Sequence, residues 1–351
     1  MWRNNYSESR DLFRQYSLKE YKNFNKQKGF YLIDNDVETS VDYLFLHNEK
    51  SKNLHILISG THGVEGYAGS AIQMKTLQSY IEQSKYSSRT ETSYLIIHGL
   101  NPYGFKNNRR CTKNNIDLNR NYLEKDNFND ANYPKIIFEL ISTFLFSFQF
   151  IYLFFCILLK YGYTEAREYI IKGQYTYNKG LFYGGKSREH NIEVLENILS
   201  IVDYNYFDDV YIFDIHTGLG SYGNLSIMVI QEETCKKFNK MTFNSTTQLV
   251  NMCTDNIYKE SKGSIIEGIY NYLTKTNSKI NIYPIILEYG TYSNLKIFAY
   301  LLLENYYYCI SNDNSKWCKQ SKKLKSVFYI ENQYWKDLVI NNYTDFIKLL
   351  R

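Results

Sequence analysis

Three short apolar runs each stop at a residue that can do chemistry, and this most limits what the chain can become. "LHILIS" (54–59) leads into a glycine-rich loop carrying His62 and Glu65, "DVYIFDIH" (209–216) ends on His216, and "IYPIILEYG" (282–290) carries Glu288 near its end. Runs of this length suit buried strands better than helices. "SYLIIHGL" (93–100), closed by the turn pair Asn101-Pro102, and "NLSIMVI" (224–230) read as further strands. The stretch from Tyr67 to about Gln83, rich in Ala, Met, Leu and Gln, reads as a helix, as do 188–203 and 293–306. Strands alternating with helices predict an α/β fold, a mainly parallel or mixed sheet with helices on both faces. No internal repeat or Pro-rich linker divides the chain, so residues 1–351 are read as a single domain.

Bulk properties remove several classes. Apolar residues make up 44%, enough for a packed core. The net charge of +5 comes from 41 basic and 36 acidic residues without a long basic run, so no nucleic-acid partner is expected. The 36 tyrosines do not interleave with a basic face. Six scattered cysteines form no C-x-x-C and read as free thiols of a reducing compartment. The polar N-terminal stretch "MWRNNYSESRDLFRQYSLKEY" has no apolar core of a secretory signal, and a cytoplasmic location is expected.

The loop "SGTHGVEGYAGSA" (59–71) opens the chemical reading. A catalytic zinc takes three protein ligands from His and carboxylate and leaves a position for water. His62 and Glu65, three apart, with the distant His216, have that form. Glu288 is the candidate general base. Arg109 or Arg110, in "NPYGFKNNRRCTKNNIDLNRNY" (101–122), is the candidate for a developing oxyanion. Arg120 beside Asn119 offers a planar fork for a substrate carboxylate. A metal-bound imidazole commonly gives its second N–H to a carboxylate, and Asp117 is the candidate partner of His62. His98 reads as a structural core residue.

Taken in order, "SGTHGVEGYAGSA", "NPYGF…RR…NNIDLNRNY", "GQYTYNKGLFYGG" (173–185), "DIHTGLG" and "LEYGT" resemble the zinc carboxypeptidase superfamily. They are most similar to a branch related to the aspartoacylase and succinylglutamate desuccinylase deacylases. The resemblance covers about residues 50–295. It implies a mixed sheet of about eight strands flanked by helices, Zn2+ held by His62, Glu65 and His216, and Glu288 as base. It also implies Asn119 and Arg120 on a substrate carboxylate, one of Arg109 and Arg110 polarising the scissile carbonyl, and Asp117 behind His62. The substrate would be a peptide or a small N-acyl amino acid with a free carboxylate. The superfamily's catalytic tyrosine is not identified; Tyr222 is near only in sequence. The other reading is a protein that keeps the fold without turnover and binds a membrane or a partner.

"LISTFLFSFQFIYLFFCILL" (140–159), 20 uncharged residues within an apolar insertion of about 136–160, reaches the length of a membrane span. One crossing would put His62 and Glu65 on the opposite side from His216. A helix or helical hairpin buried in the protein is therefore the expected form. A helix lying in a membrane surface is the second reading.

Overall fold

The structure, a computed structural model, describes residues 1–22, 24–33, 36–83, 92–129, 133–253, 261–277, 279–311 and 313–350. Among the described residues eight strands form one mixed sheet, as the family resemblance implies, and their order is β1-β2-β4-β3-β5-β8-β6-β7. They are β1 (Asn25–Leu32), β2 (Ser40–His47), β3 (Asn53–Ser59), β4 (Thr92–His98), β5 (Asp209–Gly218), β6 (Leu225–Val229), β7 (Thr247–Asn251) and β8 (Asn281–Gly290). The central strands β4, β3, β5 and β8 run parallel. The β1–β2, β2–β4 and β6–β8 pairs are antiparallel. β3, β4 and β5 are buried along almost their whole length, as strands covered on both faces must be.

The helices among the described residues are α1 (Tyr6–Leu18), α2 (Gly66–Gln83), α3 (Pro102–Asn107), α4 (Lys135–Ser142), α5 (Phe148–Ile171) and α6 (His190–Leu199). They continue with α7 (Glu232–Phe238), α8 (Ile265–Thr276), α9 (Asn294–Cys309), α10 (Asn314–Phe328) and α11 (Gln333–Lys348). Strand side chains alternate between faces. Leu57, Phe213 and Leu287 pack with α1, α2 and α11 on one side. Ile56, Ile212 and Ile286 pack with α6 and α8 on the other. The same alternation puts Asp214, His216 and Glu288 on the α6–α8 side. The C-terminal helix α11 completes the opposite core with Trp335, Val339, Tyr343 and Phe346.

Residues 140–159 depart from expectation. They do form a helical hairpin, but α4 and α5 are separated by a break over 143–147, and α5 continues to Ile171. Leu140, Leu153 and Ile157 are buried between the two helices, while Phe148 is 92% and Leu159 88% exposed. The hairpin is thus only half buried, because its two helices cover each other on one side and leave the other open. The polar residues after Lys160 hid the rest of α5 from a reading based on an uncharged run. Gly162, at φ 70°, breaks α5 with a left-handed residue that a β-carbon would strain. No helix among the described residues is long and apolar enough to cross a membrane.

Candidate metal centre and its cavity

Topology sets the place. β4 lies on one side of β3 and β5 on the other, so the chain reverses its direction of growth at β3. Ligands of open α/β sheets gather beyond the strand ends at such a point. His62 and Glu65 follow β3, and His216 lies near the end of β5. Glu288 is the register partner of His216 on β8.

The loop after β3 is closely packed. Gly60 turns the chain at φ +68°, and a β-carbon there would stand 3.2 Å from Gly99 Cα. At Gly63 a β-carbon would fall 2.1 Å from the carbonyl carbon of Gly104. That close approach lets Gly63 N–H and Val64 N–H donate to the Arg110 and Arg109 carbonyls at 3.2 and 2.7 Å. Glu65 then ends a single 3-10 turn, Gly63–Glu65, ahead of α2.

His62, Glu65 and His216 converge, all three buried. His62 Nδ1 and His216 Nδ1 are 3.0 Å apart. Glu65 Oε1 is 2.9 Å from His62 Nδ1, and Oε2 is 2.9 Å from His216 Nδ1. The far ring nitrogens meet carboxylates. His216 Nε2 is 2.7 Å from Asp214 Oδ2, and Asp214 Oδ1 accepts from Thr61 Oγ1 at 2.7 Å. His62 Nε2 stands 3.2 Å from Asp117 Oδ1, within ion-pair reach though off hydrogen-bond geometry. If the imidazole protons sit toward these carboxylates, two bare ring nitrogens and two carboxylate oxygens face one another. Four acceptors in a buried space need a cation. Tetrahedral zinc ligands at ~2.0–2.1 Å stand about 3.3 Å apart, close to the separations here. Two histidines and a glutamate, each histidine backed by a carboxylate, suit zinc.

Electrostatics follow from burial and these partners. Burial alone would raise the Glu65 carboxyl, but His62 and His216 outweigh it and hold it well below the usual carboxylate range. Asp117 is likewise held low against burial, chiefly by Arg110 and then His62. Burial lowers His216, yet Asp214 and Glu65 more than reverse this. Glu288 goes the other way: burial first, then the charge of Glu65, push it up to about 8. Its Oε1 accepts the Leu219 N–H at 2.9 Å, which fixes the carboxyl beside the centre.

The neighbouring arginines separate. Arg109 is 1% exposed and donates to Glu304 at 2.6 Å and to Asn115 at 2.9 Å, with Tyr308 stacked beneath it. It is not among the residues lining the cavity, and its donors tie the loop to α9. Arg110 does line the cavity, 2.9 Å from Asp117 Oδ2 through Nε and 3.6 Å from Glu65 Oε1 through Nη1. Phe182 covers it from the loop 173–185 at the unusual φ of 52°.

Asn119 accepts the first N–H of α8, from Ile265, at 2.9 Å, while its amide nitrogen has no partner among the described residues. All three Arg120 nitrogens donate to carbonyls: Nε to Lys172, Nη1 to Asn119 and Nη2 to Ile171. Arg120 therefore clamps the end of α5, a role the motif did not predict.

These groups share one cavity of about 540 Å³. Two residues in or beside it escaped the sequence reading. Asp214, two before His216, could have been found from strand alternation, which puts both on one face. Arg167 of α5 lines the cavity with no hydrogen bond or ion pair among the described residues, and nothing in its local sequence marked it. Tyr222 lies outside this cavity, whereas Tyr163 lines it. His98 is a core residue stacked on Phe13, and burial pushes it down to about 3, so it stays neutral.

The fold and site define an α/β protein with a buried His-Glu-His centre in an open cavity. Residues 2–342 match the family described as "Protein of unknown function (DUF2817)", and the chain belongs to that family. No curated protein matches it. Among solved structures it is similar to bovine thrombin-activatable fibrinolysis inhibitor, at 11% identity and TM-score 0.49, covering 97% of this chain and 98% of the other. It is similar to carboxypeptidase A of Helicoverpa armigera at 13% and 0.47, covering 92% and 73%. An aspartoacylase family protein of Mesorhizobium loti is similar at 14% and 0.37, covering 83% and 69%.

Proposed function

We propose that the chain is a zinc-dependent hydrolase that cuts an amide beside a free carboxylate, either a carboxypeptidase or a deacylase of N-acyl amino acids. The convergence of His62, Glu65 and His216, with a carboxylate behind each histidine, carries this reading. A zinc ion held there would supply a Lewis acid and make water a nucleophile at neutral pH. Glu288 takes the proton of the attacking water and passes it to the leaving amine. Arg110 faces the charge that develops on the carbonyl oxygen. Asp214 and Asp117 hold the two imidazoles in the tautomer that turns Nδ1 inward. Asn119 and Arg120 receive the substrate carboxylate, with Arg120 exchanging a backbone carbonyl for it. Arg167, uncommitted on the same wall, adds positive charge.

The test is a screen of peptides with free C-termini and of N-acyl amino acids, each beside its carboxamide, with and without a chelator. The expected result is hydrolysis of free acids that stops with the chelator and returns with zinc. Turnover that survives complete metal removal contradicts the reading.

We place the protein in the cytoplasm, in keeping with its six free cysteines, and attach it peripherally to membranes through the outer face of α5. Phe148, Tyr152, Phe155 and Leu159 form that face. Full burial of each is worth roughly 1.5–3 kcal/mol. The protein is expected to sediment with lipid vesicles, and Phe148→Ser with Leu159→Ser to weaken this by at least about tenfold. Wild-type protein that stays in the supernatant at every lipid concentration would remove the contact.

A further inference from the structure

The cavity has a composition that amide hydrolysis alone does not require. His62, Glu65, His216 and Glu288 lie at or just past the strand ends, and Arg167 of α5 and Glu267 of α8 add charge on the walls, but most of the lining is apolar. Much of that lining comes from the α4–α5 hairpin. Leu140 contributes from α4, and Phe154, Ile157, Leu158, Ala166 and Ile170 from α5. Along α5 the lining positions fall three or four apart, so one helical face is turned to the cavity on both sides of the Gly162 break. Ile297, Phe298 and Leu301 of α9 add to the apolar lining. The hairpin is anchored at the site itself, since Arg120 holds the Ile171 and Lys172 carbonyls.

We propose that the substrate is a long-chain N-acyl amino acid, its fatty-acyl chain lying along the apolar face of α5 while its amide reaches the His62–Glu65–His216 centre. This rests on the hydrolase reading and adds the chemical class of the acyl group. Water breaks the C–N bond, its oxygen joins the acyl carbon, and a fatty acid and a free amino acid leave. Glu288 carries the proton from the water to the amine. A cavity of this volume lies within the ~300–1,000 Å³ range of small-molecule sites and holds more than an acetyl group needs. A short acyl group would leave this apolar lining unused. Each methylene moved from water into such a lining is worth up to about fourfold in affinity.

Binding and turnover are measured separately. Saturated fatty acids of rising length, which are products and cannot be cleaved, are titrated into the purified protein by calorimetry. N-acyl glycines of the same lengths are assayed for hydrolysis. Dodecanoate is expected to bind at least about a hundredfold tighter than butanoate. Ala166→Trp, which fills the cavity, is expected to cost dodecanoate at least about tenfold in affinity and to move the preferred substrate to shorter chains. Leu158→Trp, at a half-exposed position, gives the same readout should the first variant fail to fold. Chain-length-dependent binding without hydrolysis of any amide would leave the acyl site standing and overturn the hydrolase reading. Hydrolysis without chain-length dependence, or a preference for peptides with apolar C-terminal residues over every acyl glycine, would overturn the acyl site alone. Dodecanoate binding lost in Phe148→Ser with Leu159→Ser but kept in both tryptophan variants would place the chain on the outer face and overturn the proposal as well.

Discussion

Replacing Glu288 with glutamine is expected to lower kcat by about 10²–10⁴-fold while zinc stays bound. Glu288 stands beside the centre, on the strand next to His216, and is not among the three converging ligands. Its carboxyl is oriented by the Leu219 N–H. Glutamine keeps that acceptor and the shape but cannot take a proton. Without a bound cation, burial and the charge of Glu65 push the Glu288 carboxyl up to about 8 and so favour its neutral form. A nearby cation reverses that preference and restores the base. Parallel measurement of kcat and metal content separates the outcomes. Loss of zinc in the variant would make Glu288 a ligand and redistribute the roles.

The second large effect is expected at His216. His216→Ala removes one of three ligands, and both stoichiometric zinc and turnover should be lost. Asp214→Asn is the graded companion. It keeps the ligand but weakens the hydrogen bond that turns His216 Nδ1 inward, and such changes typically cost about 10–100-fold in metal affinity. Competition with a chromophoric chelator reads both values. Equal affinity in Asp214→Asn and wild type would mean that Asp214 serves the fold rather than the centre.

Parts of this architecture were legible because apolar runs of strand length are hard to read otherwise. β3, β5 and β8 announced themselves, and their polar ends led to His62, Glu65, His216 and Glu288. β1 did not, because "NKQKGFYL" is an exposed edge strand whose lysines discourage further pairing and erase the apolar signal. Arg109 and Arg110 are alike in sequence, and only their partners, Glu304 for one and Asp117 for the other, tell them apart. Arg120 lines the cavity yet donates to α5, because a hairpin far along the chain brings its carbonyls there. The hairpin was expected and forms, but it is less buried than expected, for a simple reason: an uncharged run reports that burial is favourable, not which surface supplies it.

His62, Glu65 and His216 are expected to hold zinc together. The direct measurement is anomalous X-ray diffraction at the zinc edge from crystals of protein grown with zinc. One strong peak per chain is expected, in contact with His62 Nδ1, His216 Nδ1 and the Glu65 carboxylate at about 2.0–2.2 Å. Zinc-replete crystals with no peak between these three side chains, or with the only peak elsewhere on the chain, would contradict it.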